Sequence, residues 1–339
     1  MWPLHACDSI LPRRIAMILT AVGSYPKIAE GAEGQRLRRA IARSDRGEMT
    51  PEGLARVEED VTREVIEEQA AAGLDMVTDG MVRWDDGQTY IARSLEGFEA
   101  TGLLRYFDTN TYYRQPVATG PIRWTRPITL ADYRFAARCT SLPVKAVITG
   151  PYTMAKLSRS DHHRDLAHLA LEMADVLRQE ALALESEGVP LLQVDEPAIV
   201  RNKDDWGLFR QVMERFTRDL SVKRMLYTWF GDAVGLDGFF DLPFHGFGLD
   251  FVMGPGNFGL LDAFPADKTL GLGIMDARNV RLETAEWITD TLTETSRRVS
   301  LDRIHLTPSC GLDYLPRATA IAKLRRMVEG AGALKEVVG

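Results

Sequence analysis

The sequence predicts an α/β chain folded as a (β/α)8 TIM barrel, with a β-hairpin excursion between its second and third strands. Three observations carry this expectation. Eight short apolar segments begin near residues 17, 74, 144, 190, 223, 246, 269 and 303. Most are separated by stretches with helical spacing of apolar residues, the alternation that builds a parallel sheet closed on itself. Ser24, Asp79, Gly150, Asp195, Trp229, Asp250, Asp276 and Cys310 fall at or just past the carboxyl ends of these segments, which in such a fold meet at one mouth.

The first segment, MILTAVGSYP from Met17, is apolar and β-branched until Gly23, Ser24, Tyr25 and Pro26 break it, leaving backbone amides open at a loop. Residues 1–16 carry Arg13 and Arg14 without an apolar run, and read as an N-terminal extension to a single domain of 17–339. Thr50 offers an N-cap and Pro51 suits the first position of a helix that Gly73 closes. Segment 74–80, LDMVTDG, then places Asp79 at a strand end. The aromatic, glycine-punctuated stretch 98–124 interrupts the alternation and reads as a hairpin crossing the mouth. There Tyr106, Phe107, Tyr112 and Tyr113 serve either as a lid or as packing that fastens the excursion down.

Alternation resumes with VKAVITGP from Val144. A long amphipathic helix, about 161–188, delivers LLQVDEP, an apolar strand that ends on two adjacent acids, Asp195 and Glu196, before Pro197 stops it. An unpaired buried carboxylate is costly, so acids at such an end point to a site. A helix near 206–219 leads to KRMLYTWFGD. GFGLDFVMG, TLGLGIMDARN, a helix near 283–297, RIHLTPSCGL and a last helix from about Pro316 complete the chain.

With 339 residues, 45% hydrophobic and 26% charged, the chain has material for a large core. Its net charge of -7 argues against a nucleic-acid surface, and the absence of any run of 18 apolar residues argues against a membrane span. Cys7, Cys139 and Cys310 are too few and scattered for a disulfide framework, which suggests a reducing, cytoplasmic setting. Without a G-x-G-x-x-G or P-loop run, the expected partner is a small molecule held at the mouth.

Six motifs in order, GSYP at Gly23, GLDMVTDG at Gly73, ITGPYT at Ile148, LQVDEPA at Leu192, GLGIMDARN at Gly271 and TPSCGL at Thr307, carry a resemblance to a known family. The chain resembles the catalytic C-terminal domain of cobalamin-independent methionine synthase, within the superfamily that includes uroporphyrinogen decarboxylase, and is similar to its short single-domain members. The resemblance implies methyl transfer from a folate or methylated corrinoid to a thiol, usually that of homocysteine, activated on zinc. It implies catalytic roles for Cys310, as nucleophile or acceptor-side ligand, for Asp195 and Glu196, which bind or deprotonate substrate, and for Asp276, which orients it. Substrate contacts are implied for Gly23, Ser24, Asp79, Trp84, Tyr227, Trp229 and Asp250. A corrinoid protein or a second copy of the chain is the implied macromolecular partner.

The sequence departs from that pattern in three places. The His-x-Cys pair of the zinc site falls on Tyr227 and Trp229, and its Glu on Asp250, so that only Cys310 is kept. Phenol and indole are poor zinc ligands, and ordinary zinc binding is not expected; a rearranged site would draw on Cys310, Asp250 and His245. Met81 follows Asp79 and Gly80 where the family has a glutamate for the amino-acid ammonium. Leu157 stands where a tryptophan would stack on folate. The expected activity is a methyl or one-carbon transfer without the standard zinc. Two alternatives stay open: a homocysteine S-methyltransferase with a rearranged metal site, and a barrel that binds a small ligand without catalysis.

Overall fold

The computed structural model describes residues 17–338; the expected 1–16 extension lies outside the described residues. In chain order the strands are β1 (Ile18–Leu19), β2 (Glu96–Arg105), β3 (Tyr112–Arg123), β4 (Ala146–Thr149), β5 (Arg159–Ser160), β6 (Leu192–Asp195), β7 (Arg224–Thr228), β8 (Gly246–Asp250), β9 (Thr269–Met275) and β10 (Ile304–Pro308). Seven of them form a curled parallel sheet in the order β1-β10-β9-β8-β7-β6-β4, and β2-β3-β5 form a separate three-stranded sheet. Segment 74–80, expected as a strand, is reduced to two parallel bridges, Thr20↔Met76 toward β1 and Val77↔Val144 toward β4. Asp75 explains the interruption. Its carboxylate takes the Leu19 N–H at 2.8 Å, replacing a backbone acceptor of the ladder.

Helices cover the outer face. Helix Pro51–Ala71 starts as expected, with the Thr50 hydroxyl accepting the Gly53 N–H at 3.1 Å, and buries Val61, Val65 and Ile66. Helix Leu166–Ser186 begins later than the pattern near 161 suggests, because Asp165 caps it by accepting the His168 N–H at 3.0 Å. The hairpin β2–β3 (98–124 in the sequence reading) forms as expected and pairs antiparallel. Its return is fastened by buried Glu180, which accepts from the Trp124 indole N–H, the Ile128 and Thr129 N–H groups and the Thr129 hydroxyl, all at 2.7–2.8 Å.

Inside the sheet the side chains are not uniformly apolar. Tyr227 on β7 lies buried across β8 and β9, where Gly248 and Gly271 leave it room: a Cβ on Gly248 would stand 2.2 Å from its ring, and one on Gly271 2.7 Å from its hydroxyl. His305, in register with Gly271 on β10, is also buried, and burial holds its pKa down to about 3, so it is neutral.

Gly248→Ala is expected to lower the unfolding free energy by about 1–3 kcal/mol, through the forced displacement of Tyr227. Urea denaturation should find a smaller loss in a Tyr227→Ala background; equal losses would mean that the two positions do not interact.

Candidate functional site

At the carboxyl end of the sheet, neighbouring acids meet different fates. Glu196 turns toward helix Pro151–Lys156 and accepts the Tyr152 and Thr153 N–H groups at 2.9 and 2.7 Å, capping that helix. Gly150 is required there, since a Cβ would lie 2.2 Å from the carboxylate. Asp250 accepts three N–H groups, from Phe230, Val252 and Met253, at 2.8–3.0 Å. Asp276 accepts the Arg278 N–H at 2.9 Å and closes a turn. These three carboxylates hold loops in place.

Asp195 differs. It is buried, and the side chain that donates to it is Gln193, whose amide N–H reaches Oδ1 at 2.7 Å. The Gln193 carbonyl in turn accepts from Nζ of Lys145 at 2.6 Å, and Lys145 is itself buried among the inner residues, 5.1 Å from the Tyr227 ring centre. Burial pushes the Asp195 pKa up to about 7, against the opposing pull of the Gln193 hydrogen bond and the Lys145 charge. Burial lowers Lys145 to about 7, opposed by the Asp195 charge. Glu196 also rises, to about 8, and there burial outweighs its amide donors.

Asp195 forms part of the wall of a cavity of about 480 Å³. Ser24 and Lys27 from the loop after β1, Trp84 and Asp86 from the loop after segment 74–80, Tyr106 and Tyr113 from the hairpin, Trp229 after β7, and Asp313 and Tyr314 after β10 line the rest. The Ser24 hydroxyl donates to Asp313 at 2.6 Å, and enclosure by protein raises the Asp313 carboxyl even though it opens onto the cavity. Lys27 donates to the Trp84 carbonyl, and burial lowers its pKa. Asp86 caps helix Thr89–Arg93 by accepting the Gln88 and Thr89 N–H groups at 2.8 and 2.6 Å.

The hairpin roofs this space. Tyr113 donates its hydroxyl to the Leu157 carbonyl at 3.0 Å, and Phe107 packs edge-on against Phe230 with ring centres 5.7 Å apart. Beside them Asp108 forms ion pairs with Arg278 at 3.2 Å and Arg201 at 3.9 Å. Phe107 and Phe230 both adopt left-handed backbone, with φ of 48° and 69°, a conformation that costs a bulky residue energy and persists only where its surroundings hold it.

Of the residues expected in the site, Ser24, Trp84, Asp195 and Trp229 share the cavity wall, and Glu196, Asp250, Asp276, Gly23, Asp79, Tyr227 and Cys310 do not line it. Cys310 is fully buried; its thiol donates to the Gly311 carbonyl at 3.5 Å. Burial, with the charges of Asp250 and Asp313 added, pushes its pKa well above the thiol range, so it stays protonated. Gly23 uses its carbonyl to accept from Thr78 at 2.8 Å. Asp79 accepts the Met81 N–H at 3.0 Å, and its pKa is raised to about 6, by burial first and the Asp132 charge second. Lys145, Gln193, Lys27 and Asp313 escaped the sequence reading. The available signal was a lysine and a glutamine at inward positions of otherwise apolar strands.

A zinc ion does not fit these residues. Tyr227 and Trp229 offer no ligand, the Asp250 oxygens face three N–H groups, and Cys310 is a buried thiol. His245, the expected substitute, is corrected by the fold: it precedes β8 whereas Asp250 ends it, so the two lie at opposite ends of the strand, roughly 16 Å apart at strand rise. Its ring accepts the Arg224 N–H at 3.2 Å. Among the described residues no group of three or more His, Cys, Asp or Glu side chains is arranged to hold a metal.

A curled parallel sheet with a deep cavity at the carboxyl ends of its strands, walled by rings and a few converging polar groups, defines an α/β protein with a small-molecule site. The chain belongs to the cobalamin-independent methionine synthase family: residues 81–300 match the model described as cobalamin-independent synthase, N-terminal domain. Its motifs resemble those of the catalytic domain, while the model that matches is that of the N-terminal domain. The chain is 30% identical over 319 residues to the methionine synthase of Sulfolobus acidocaldarius, covering 94% of this chain and 92% of that protein. It is 29% identical over 323 residues to that of Saccharolobus solfataricus, covering 94% of each. In fold it is similar to a B12-independent methionine synthase from Shewanella sp. W3-18-1 solved in complex with selenomethionine, with a TM-score of 0.80 at 22% identity over 95% of this chain and 99% of that one.

A carboxyl whose folded pKa is raised contributes stability below its unfolded pKa and loses it as pH climbs through the folded one. For Asp195 that window runs from about 4 to about 7. Asp195→Asn is therefore expected to gain stability relative to the parent as pH rises from 5 to 7, measured by urea denaturation of both proteins. Taking the difference cancels Asp79 and His305; removing the Asp195 charge also lowers the pKa of Glu196 and of Lys145, and both changes act in the same direction over this range, so a flat difference would contradict the assignment.

Proposed function

We propose that the chain is a methyl, or one-carbon, transferase of this family that acts on a small molecule in the mouth cavity without a zinc-bound thiolate. In this reading residues 17–339 are one domain, and segment 74–80 completes the seven-stranded sheet as the eighth stave of a (β/α)8 barrel. The observation that carries the proposal is Asp195: a buried carboxylate on the cavity wall, with Gln193 donating to one oxygen and no cation in direct contact. The methionine synthases named above support the reaction class.

In the transfer the acceptor's lone pair attacks the methyl carbon, and the bond to the donor breaks with its electrons leaving on the donor. The proton released by the acceptor goes to Asp195, whose pKa of about 7 suits that exchange at neutral pH. Lys145, acting through Gln193, steadies the carboxylate while it is charged. Gln193 stands between Lys145 and Asp195, so the ammonium makes no direct contact with the carboxylate. Ser24 and Asp313 supply a second polar pair on the cavity wall, and Trp84 and Trp229 orient the ligand. Cys310, enclosed and protonated, packs behind that wall and is not the nucleophile. The hairpin, seated over Leu157, excludes water from the transfer.

Purified protein incubated with isotopically labelled methyl donors, including methyltetrahydrofolate, methylcobalamin and methylated onium compounds, and with homocysteine or another thiol should yield a labelled methyl thioether detectable by mass spectrometry. Asp195→Asn should lower kcat/KM by about 100-fold or more while the protein stays folded. No product with any donor, or full activity in the Asn variant, would refute the proposal.

A further inference from the structure

We infer that the mouth cavity takes a methylated organic cation, an ammonium or sulfonium compound that also carries a carboxylate. This inference rests on the same site as the proposed transferase and names its ligand class. Four carboxylates, Asp85, Asp86, Asp195 and Asp313, line the space against one ammonium, Lys27. Two of the four have other duties: Asp85 pairs with Arg93 at 2.7 Å, and Asp86 caps a helix. Among the described residues neither Asp195 nor Asp313 forms a salt bridge; Lys145 and Lys27 act on them only from beyond direct contact. Each takes one side-chain donor, and that donor is neutral. The nearby arginines Arg278 and Arg201 turn to Asp108 instead of the cavity. A ligand bringing positive charge is what such a wall lacks.

The rings specify the kind of cation. Tyr106, Tyr113, Trp229 and Tyr314 line the same space. Tyr106 is held at the centre by edge contacts with Tyr113 and Phe230, at ring-centre distances of 6.2 and 6.3 Å. Both Asp195 and Asp313 act on its phenol, which enclosure raises far above its ordinary value, so the ring stands near the two carboxylates. A primary ammonium needs several hydrogen-bond acceptors when it leaves water. A methylated onium has no N–H or S–H to satisfy, spreads its charge over methyl groups, and is held by aromatic faces and diffuse negative charge.

The donors point to a second group on the ligand. Trp84 and Trp229 are 4% and 8% exposed, and both line the cavity. Neither indole N–H has a partner. Buried donors of this kind call for an acceptor, which a carboxylate on the onium compound supplies. By the same logic a polyanionic folyl tail meets a wall of its own charge sign.

The test is direct binding by isothermal titration, with no turnover required. Glycine betaine and dimethylsulfoniopropionate are the zwitterionic probes, tetramethylammonium lacks the carboxylate, and 3,3-dimethylbutanoate is the uncharged-carbon isostere of betaine. At least one zwitterionic probe should bind saturably and at least about tenfold tighter than the isostere, with Tyr106→Leu and Asp313→Asn each weakening it about fivefold or more. Tyr106 sits on the excursion, outside the main sheet, so its variant remains informative if Asp313→Asn does not fold. Tighter binding of tetramethylammonium than of both zwitterions would remove the carboxylate from the proposal. Equal affinity for the isostere, or no binding of any onium probe, would overturn it. If an onium compound binds but no methyl moves, the transferase reading fails and this one stands; if methyl moves from another donor and no onium binds, the reverse holds.

Discussion

The buried chain Lys145–Gln193–Asp195 is the interaction on which the site depends. A carboxylate inside protein must find donors or give up its charge, and a lysine there must find acceptors or lose its proton. Gln193 meets both needs, accepting from Lys145 at 2.6 Å and donating to Asp195 at 2.7 Å. A second N–H of the same amide donates to the Val22 carbonyl at 2.7 Å, which locks the side chain in one orientation. Opposite charges are thereby kept close enough to moderate each other without a direct ion pair. A direct pair would neutralise Asp195 and occupy the oxygens that face the cavity.

This arrangement needs room that only small residues leave inside the sheet. Glycines at 248 and 271 let Tyr227 recline across the sheet, and its ring stands 5.1 Å from the Lys145 ammonium, close enough for a favourable contact with the charge. His305, held neutral on the facing strand, adds no second positive charge. The polar layer beneath the mouth thus has one acid, one base and neutral groups around them. In such a layer a small change of charge in the cavity is transmitted to the pKa values of both ionisable partners.

The fold was largely legible from one dimension, because strand ends and helix caps are local signals. Thr50, Pro51 and Gly73 bound a helix by their own chemistry, and the hairpin announced itself by its aromatic and glycine-rich composition. The site was less legible. Asp195 and Glu196 look equivalent in LLQVDEP, yet adjacent strand residues face opposite sides, so one reaches the cavity and the other caps a helix. Asp250 and Asp276 were expected to meet substrate, but loop amides claim them, and no residue pattern reveals in advance which N–H groups a carboxylate will find. His245 failed for a simpler reason: five residues of strand separate the two ends of a sheet. Lys145 was hidden by the apolar run around it, and its partner lies 48 residues away.

The hairpin gives the mouth a roof, and one of its strands joins the core through Ala118 and Ile122. β2 is exposed over nearly all its length, and the apolar burial comes from β3, through Tyr113, Val117, Ala118 and Ile122. Attachment comes from a few points: Glu180 at the base, Tyr113 on Leu157, and the Phe107–Phe230 contact beside Asp108 and Arg278 at the tip. Arg278 completes the tip by lying 5.0 Å from the Phe230 ring centre, while its guanidinium pairs with Asp108. Two phenylalanines in left-handed backbone meet at that point, so the contact opposes a local conformational cost on both sides. Base and tip therefore differ in kind. Buried, multiply bonded Glu180 fixes the base, whereas the tip balances strain against exposed ion pairs that water and salt weaken.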